Sequence, residues 1–443
     1  MKVTMLSHAS VLLKAGPVSL CTDPWFSGAV FNESWSLLCE PAVTATTLPP
    51  LTHIWISHEH PDHLHYPTLK AIPQDQKDRI VLLYQEHFSS RMVRALRAFG
   101  FQAVRELPLG RWVLIGEGVE VLCYSVESID SLLGVRANGV TILNLNDCVL
   151  SPQGAVTVAR RVGSVDVLLT QFSIAGWAGN PGETDVPSRL GVLHRLERYV
   201  ALFKPKLLIP FASFVYFSHE ENRYMNRWVN TPDQVMEFMR SHRTPVQFLA
   251  NGDSWSSDKG VCMAGDPLGQ YRQAFASLPH RPYRHDPPVA TAELLALGTT
   301  LVSNVRKAFP RFLLRTLAAP IHFYVDDLHT SIRFDVTTGD VVAGERSREQ
   351  CDMALNSQAL WYAFKFPWGL GTLNVSGRYM LLNPQMNKRA IHFCHFYASD
   401  ITVKSLLKRI GQRRAWRFMW IKRREILDSI VTRLNRILSV RPT

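Results

Sequence analysis

No stretch of ~18 uncharged apolar residues occurs anywhere in the 443-residue chain, so the sequence offers no helix able to span a bilayer. The opening MKVTMLSHASVLLKAG turns polar within a few residues; it lacks the apolar run of a secretory leader and reads as a strand. The seven cysteines, Cys21, Cys39, Cys123, Cys148, Cys262, Cys351 and Cys394, are odd in number and never spaced C-x-x-C. A disulfide scaffold is therefore not expected, and a reducing cytoplasm is. Internal repeats and low-complexity tracts are also missing. Charged residues make up only 19% against 46% hydrophobic, which excludes a disordered chain.

The length exceeds what one core usually supports, so two domains are expected. Residues 1–260 alternate short β-branched runs with polar or Gly/Pro punctuation: VSLCTD (18–23), HIWISH (53–58), RIVLLY (79–84), VEVLCYSV (119–126), VTILNLND (140–147), VDVLLTQF (165–172) and KLLIPF (206–211). These read as buried strands, and SSRMVRALRAFG (89–100) between two of them as a helix with a glycine stop. The mixture predicts a layered α/β domain. A Pro- and charge-rich linker is expected over 261–290, then a smaller α+β domain over 291–400, in which TLNVSGRYMLL and AIHFCHF read as strands. Residues 401–443 read as a basic helical tail.

The strongest chemical signal ends the strand HIWIS: His58-Glu59-His60-Pro61-Asp62-His63. Neighbouring residues of a turn diverge, so one pair of these ligands can reach one ion and the next pair a second. Imidazole and carboxylate donors suit zinc or non-haem iron. A surface loop that happens to be rich in histidine is the plain alternative.

H-x-H-x-D-H resembles the hallmark of the metallo-β-lactamase superfamily, which implies an αββα sandwich. HASVLLKAGPVSLCTDPWFSG is similar to the opening of its lactonase and phospholipase D-like branch, with Thr22-Asp23-Pro24 at the matching turn. By that likeness Asp23 orients a ligand from behind rather than binding metal. His8 is placed with it, near the pocket but outside the ligand set, or else is a satisfied histidine at a strand edge. HIWISHEHPDHLHYPTLK, NLNDC (144–148), PFASFVYFSHEENRY (210–224) and GLGTLNVSGRYMLLNP resemble the CMP-N-acetylneuraminate hydroxylase family. That family adds a Rieske iron–sulfur domain, yet C-x-H and C-x-x-H are both missing here, so an oxygenase of this kind would need electrons from a partner protein.

The likeness also implies the remaining ligands. Asp147, after VTILNLN, matches the carboxylate that bridges two metals, and His219 in SHEENRY the late histidine of the second metal; a turn aspartate and a loop histidine are the alternatives, with His194 a weaker rival. Where the superfamily places a middle histidine, none exists between His87 and His194, and Glu127 stands at the position, with Asp130 as the other candidate. A glutamate there resembles the diiron β-hydroxylase of chloramphenicol biosynthesis. Hard oxygen donation of this kind favours iron over zinc. The implied centre holds one metal with His58, His60 and Glu127, a second with Asp62, His63 and His219, and Asp147 between them.

Three functional classes stay open. The first is a diiron oxygenase hydroxylating a small biosynthetic intermediate; the second is a zinc- or manganese-dependent hydrolase of a lactone, phosphodiester or amide. The third is a non-catalytic lipid- or partner-binding protein, suggested by the resemblance of 291–400 to a sterol-carrier-like unit. There Trp361, Tyr362, Phe364, Phe366 and Trp368 would line an apolar tunnel or simply form core. The loop AGWAGNPGETDVPSR (175–189) is placed to cover a metal site or to be a plain connection. Of the formal charge of +12, the 401–443 tail carries +10. Its stripe of Leu427, Ile430, Leu434 and Leu438, with Trp416, Met419 and Trp420 ahead of it, suits an anionic membrane surface or docking on the protein. Nucleic acid is not expected, since no binding module accompanies the charge.

Overall fold

The computed structural model describes residues 1–87, 91–126, 129–183 and 187–402, with Ser405, Leu407, Lys408, Gly411, Gln412, Trp416 and Trp420 beyond them. Glu127 and nearly all of the tail lie outside the described residues.

Alternation along each strand builds the first domain. In the hairpin Val11–Ala15 and Val18–Thr22, Leu13 and Leu20 join one core while Leu12 and Cys21 join another. The strands His53–Trp55 and Val81–Gln85 split the same way, Trp55 and Leu83 to the first core, Ile54 and Leu82 to the second. These belong to an eight-stranded sheet ordered Gly260–Cys262, Ser254–Ser256, Lys2–Met5, Val11–Ala15, Val18–Thr22, His53–Trp55, Val81–Gln85, Ala103–Leu107. A six-stranded sheet, Leu207–Phe211, Val167–Gln171, Val140–Asn146, Asp130–Ala137, Val119–Val126, Trp112–Gly116, faces it across the first core. Helices Tyr66–Ala71 and Arg91–Arg97 close the second core with Leu69, Met92 and Leu96. Helices Pro152–Val162 and Pro187–Phe203 add Val158, Val162, Leu193 and Leu196 to the first. The result is the helix–sheet–sheet–helix sandwich expected, and all seven strands read from the sequence are present.

The expected linker is partly structured. Residues Pro267–Ser277 form a helix whose Tyr271 is 1% exposed and packs in the first domain's core, its ring stacked on Phe214. The second domain is a five-stranded sheet, Val341–Gly344, Thr330–Phe334, Ile321–Val325, Met353–Leu355, Met380–Leu381, with helices Thr291–Ala308 and Ser357–Lys365 sharing its core. Of two segments read as strands, TLNVSGRYMLL is split between the helix Gly369–Ser376 and the short strand Met380–Leu381, and AIHFCHF lies in the helix Arg389–Ala398. Buried residues recur at Leu370 and Leu373, then at Ala390, Phe393 and Cys394, the three-to-four spacing of a helix face. Gly377, at φ +67°, ends the first of them, its N–H bonded to Leu373 O.

A buried polar node joins the domains. The Arg378 side chain, fully buried, donates through Nε and Nη2 to Glu221, through Nη2 to Asp286 at 2.8 Å and through Nη1 to Asn32 O. Asn32 and Gln358 exchange amide hydrogen bonds of 3.0 and 3.1 Å, and Asn356 donates to Glu221.

Candidate metal centre

Parallel strands end together along one edge of the sandwich, where ligands of α/β proteins usually bind. His53–Trp55 runs into the H-x-H-x-D-H turn, and His65 then caps helix Tyr66–Ala71 by accepting from Thr68 N at 3.3 Å. That cap removes His65 from the pool of ligands. Strand Val140–Asn146 carries a register shift between Asn144 and Asn146, and Asn146 sits at φ +57°. A bulge at a strand end re-aims the next side chain, here Asp147.

Asp23 organises the turn from beneath. Fully buried at φ +38°, it accepts from Ser57 N (2.8 Å) on Oδ1 and from Ser57 Oγ (2.8 Å), His63 Nδ1 (3.0 Å) and Asn146 Nδ2 (2.6 Å) on Oδ2. Ser57 Oγ in turn accepts from His58 Nδ1 at 3.0 Å. With both Nδ1 atoms used as donors, His58 and His63 each turn an Nε2 lone pair outward. Asp23 thus contacts His63 from the side opposite its Nε2.

The outward atoms converge. His63 Nε2 lies 3.2 Å from Asp62 Oδ2 and 3.6 Å from Asp147 Oδ2; His58 Nε2 lies 3.7 Å from Asp147 Oδ2, 3.9 Å from Asp130 Oδ1 and 2.8 Å from His60 Nδ1. His8 Nε2 is 3.5 Å from Asp62 Oδ2. Ligands on one ion with bonds of ~2.0–2.2 Å stand about 3.0–3.6 Å apart, so this spacing suits coordination. Three triads have their donor atoms within 4.8 Å: His8, Asp62 and His63; His58, His63 and Asp147; His58, His60 and Asp130. His63 Nε2, Asp62 Oδ1 and Asp147 Oδ1 are buried without a hydrogen-bond partner. Buried polar atoms are rarely left so, and a cation at the centre would satisfy them.

The carboxylates make the site strongly negative, and without a metal His63 takes up a proton that a bound cation would replace. Burial alone would depress the His63 imidazole, yet Asp62, Asp147 and Asp23 together raise it well above histidine's usual value. Burial raises and His58 and His63 then lower Asp147, which ends below the usual carboxylate range; Asp62 is held there by His63 and His8. Burial lowers His58 and His60 and keeps them neutral, as metal ligands must be.

Not every expected ligand arrives. His219 is buried elsewhere: its Nε2 meets Asp286 at 3.1 Å beside Arg378, and it belongs to none of the three triads. The interdomain node captures it. His8, expected behind the ligands, stands among them, delivered by the turn after strand Lys2–Met5. Glu127 lies outside the described residues, while Asp130, the alternative at that position, joins His58 and His60. His194 is an exposed helix residue paired with Glu197. His8 could have been read from the sequence only through the hairpin pairing that brings its turn beside Asp62.

A cavity of about 60 Å³ adjoins the triads, walled by Phe31, Trp35, Ile174 and Val215 of the first domain and Val375 of the second. The loop after strand Val167–Gln171 is pinned across the domain boundary: Trp177 N donates to Asn374 O, and Asn180 exchanges hydrogen bonds with the Leu381 backbone.

Residues 2–170 match the model of the β-lactamase superfamily domain. The cytidine monophosphate-N-acetylneuraminic acid hydroxylase of Danio rerio is 29% identical over 259 residues, 54% of this chain and 42% of that protein. The Mus musculus enzyme of the same name is 26% identical over 264 residues, 55% of this chain and 45% of that one, so the chain spans less than half the length of these relatives. Among solved structures, CmlA, a diiron β-hydroxylase from Streptomyces venezuelae, is similar at 18% identity and a TM-score of 0.38 over 48% of this chain and 44% of that chain. Residues 2–170 thus match the β-lactamase superfamily domain, and about half of the chain is similar to the CMP-N-acetylneuraminic acid hydroxylases.

Proposed function

We propose that the chain is a dinuclear metal-dependent hydroxylase, using iron and oxygen on a small biosynthetic intermediate with electrons from a separate donor protein. The observation that carries this is the donor set. Four imidazoles, His8, His58, His60 and His63, and three carboxylates, Asp62, Asp130 and Asp147, form three overlapping triads, with His60, Asp130 and Asp147 half-buried and the rest buried. His58, His60 and Asp130 would hold one ion and His8, Asp62 and His63 the other, with Asp147 between them. Three carboxylates offset most of the charge of two divalent ions and supply the hard oxygen donors that favour iron. Such a pair, when bound, supplies oxygen chemistry if it is iron, or a hydroxide nucleophile if it is zinc or manganese. The chain's own part is to fix the His58 and His63 tautomers through Asp23 and Ser57 and to exclude water with Phe31, Trp35 and Val375. The hydroxylase relatives support the reading.

A lipid-binding role has less support. Phe364 is core at 3% exposure, and of the aromatic run only Trp368, at 51%, is strongly exposed, stacked on Phe366. None of these five rings lines the metal cavity. The test is elemental analysis of protein purified without oxygen. Two irons per chain, with a visible band appearing on exposure to air, is the expected result. Full zinc occupancy and no such band would instead support hydrolysis of a lactone, phosphodiester or amide.

A further inference from the structure

The cavity carries polar groups that the metal ligands do not use. Gln171, 7% exposed, ends strand Val167–Gln171 and lines the cavity beside Asp147. Its Oε1 accepts from Arg195 Nη2 at 3.1 Å. An arginine only donates, so the amide has one possible orientation, and its Nε2 is the atom left for the cavity. Among the described residues that nitrogen has no protein partner. Arg195 is itself withdrawn from water, and its charge behind the amide polarises the N–H bonds toward stronger donation.

A second donor stands on the next strand. Ser213 follows Leu207–Phe211, whose Phe211 is paired with Gln171, and Ser213 also lines the cavity. Its Oγ accepts from Phe172 N and Ser173 N, both at 3.1 Å. A hydroxyl has two acceptor lone pairs and one hydrogen, so the hydrogen is what remains to offer.

We propose that Gln171 and Ser213 form a substrate site that takes an acceptor-only oxygen, a carboxylate or acyl carbonyl, and holds it beside the metal centre. The polarity follows from what already occupies the other faces of the two side chains. An amine or guanidinium at this position would meet hydrogen against hydrogen.

The site rests on the metal-dependent reading, and the experiment separates the two. Full-length protein is loaded with zinc, which is diamagnetic, and its zinc content measured first; a chain that retains no zinc fails the metal reading before any probe is added. Glutamine-selective ¹⁵N labelling then resolves the Gln171 side-chain amide, assigned by its loss in Gln171→Met. Titration with acetate and with N-methylacetamide should shift that resonance. A shift with acetate alone identifies a carboxylate site, a shift with N-methylacetamide an acyl-carbonyl site. Gln171→Glu keeps an acceptor for Arg195 but turns an oxygen to the cavity, and should weaken binding at least tenfold at equal zinc content. An amide resonance indifferent to both probes overturns the proposal, and this measurement needs only the wild-type signal. Unchanged affinity for whichever probe shifts the wild-type resonance, in a folded, zinc-loaded Gln171→Glu protein, overturns it as well.

Discussion

The His63 imidazole shows how its neighbours prepare one side chain to serve as a candidate ligand. Its Nδ1 is tied to Asp23 at 3.0 Å, and its Nε2, buried and without a partner, faces Asp62 and Asp147. Removing the tie and removing a ligand should therefore differ in kind. Asp23→Asn leaves the ligand count intact but disturbs the His63 tautomer, and is expected to weaken metal affinity ~10–100-fold. His8→Ala deletes a donor from one triad only, and is expected to lower metal content from two ions per chain to one. Elemental analysis after dialysis against a graded chelator reads both. Two ions retained by His8→Ala would return His8 to an orienting role. Much of this was legible beforehand: four of the ligands are contiguous in H-x-H-x-D-H, and Asp147 follows an apolar strand. His219 was not, because its diversion depends on Arg378 and Asp286, 159 and 67 residues away.

Elements position these residues by how closely they pack. In helix Thr291–Ala308, Gly298 passes so near the second domain's sheet that an added Cβ would lie 2.8 Å from Val341 Cγ1 and 3.0 Å from Phe364 Cε2. Alanine normally favours a helix over glycine by ~1 kcal/mol. Here overpacking, typically ~1–3 kcal/mol, opposes that gain. Gly298→Ala is expected to lower the thermal midpoint by a few degrees, and a raised midpoint in a thermal melt would show that Phe364 yields. The same domain shows where pattern reading fails. TLNVSGRYMLL and AIHFCHF read as strands, yet the second is wholly helical and the first is helical over Thr372–Ser376, with only Met380–Leu381 a strand. Strand propensity reflects fit to a half-buried pleated surface, and these segments bury a helical stripe instead. The seven first-domain strands read from the sequence are short apolar runs flanked by turn residues, and Asp130–Ala137, Ala103–Leu107 and Trp112–Gly116 are not among them.

The whole molecule closes its site with both domains. Val375 walls the cavity, and the loop holding Ile174 to Asn180 is fastened to residues 374–381. Arg378 adds a second tie between the domains, its buried charge answering Glu221 and Asp286. Truncating one partner of such a group leaves the others buried and unpaired, at a cost on the order of 3 kcal/mol. Arg378→Ala is thus expected to lower stability and to split one calorimetric transition into two as the domains uncouple. A single transition at an unchanged midpoint would show that the node does not join them.

The sequence by itself determined a layered α/β first domain and the histidine-rich turn, because short apolar runs between turn residues and a contiguous ligand motif are local properties that survive without coordinates. Only the tertiary structure decided which histidine completes the second triad, which carboxylate accompanies His58 and His60, and what the second domain contributes to the cavity. Each of those depends on pairing between strands or domains far apart in the chain. His8 reaches Asp62 through a sheet register, and His219 is drawn away by a charge 159 residues distant.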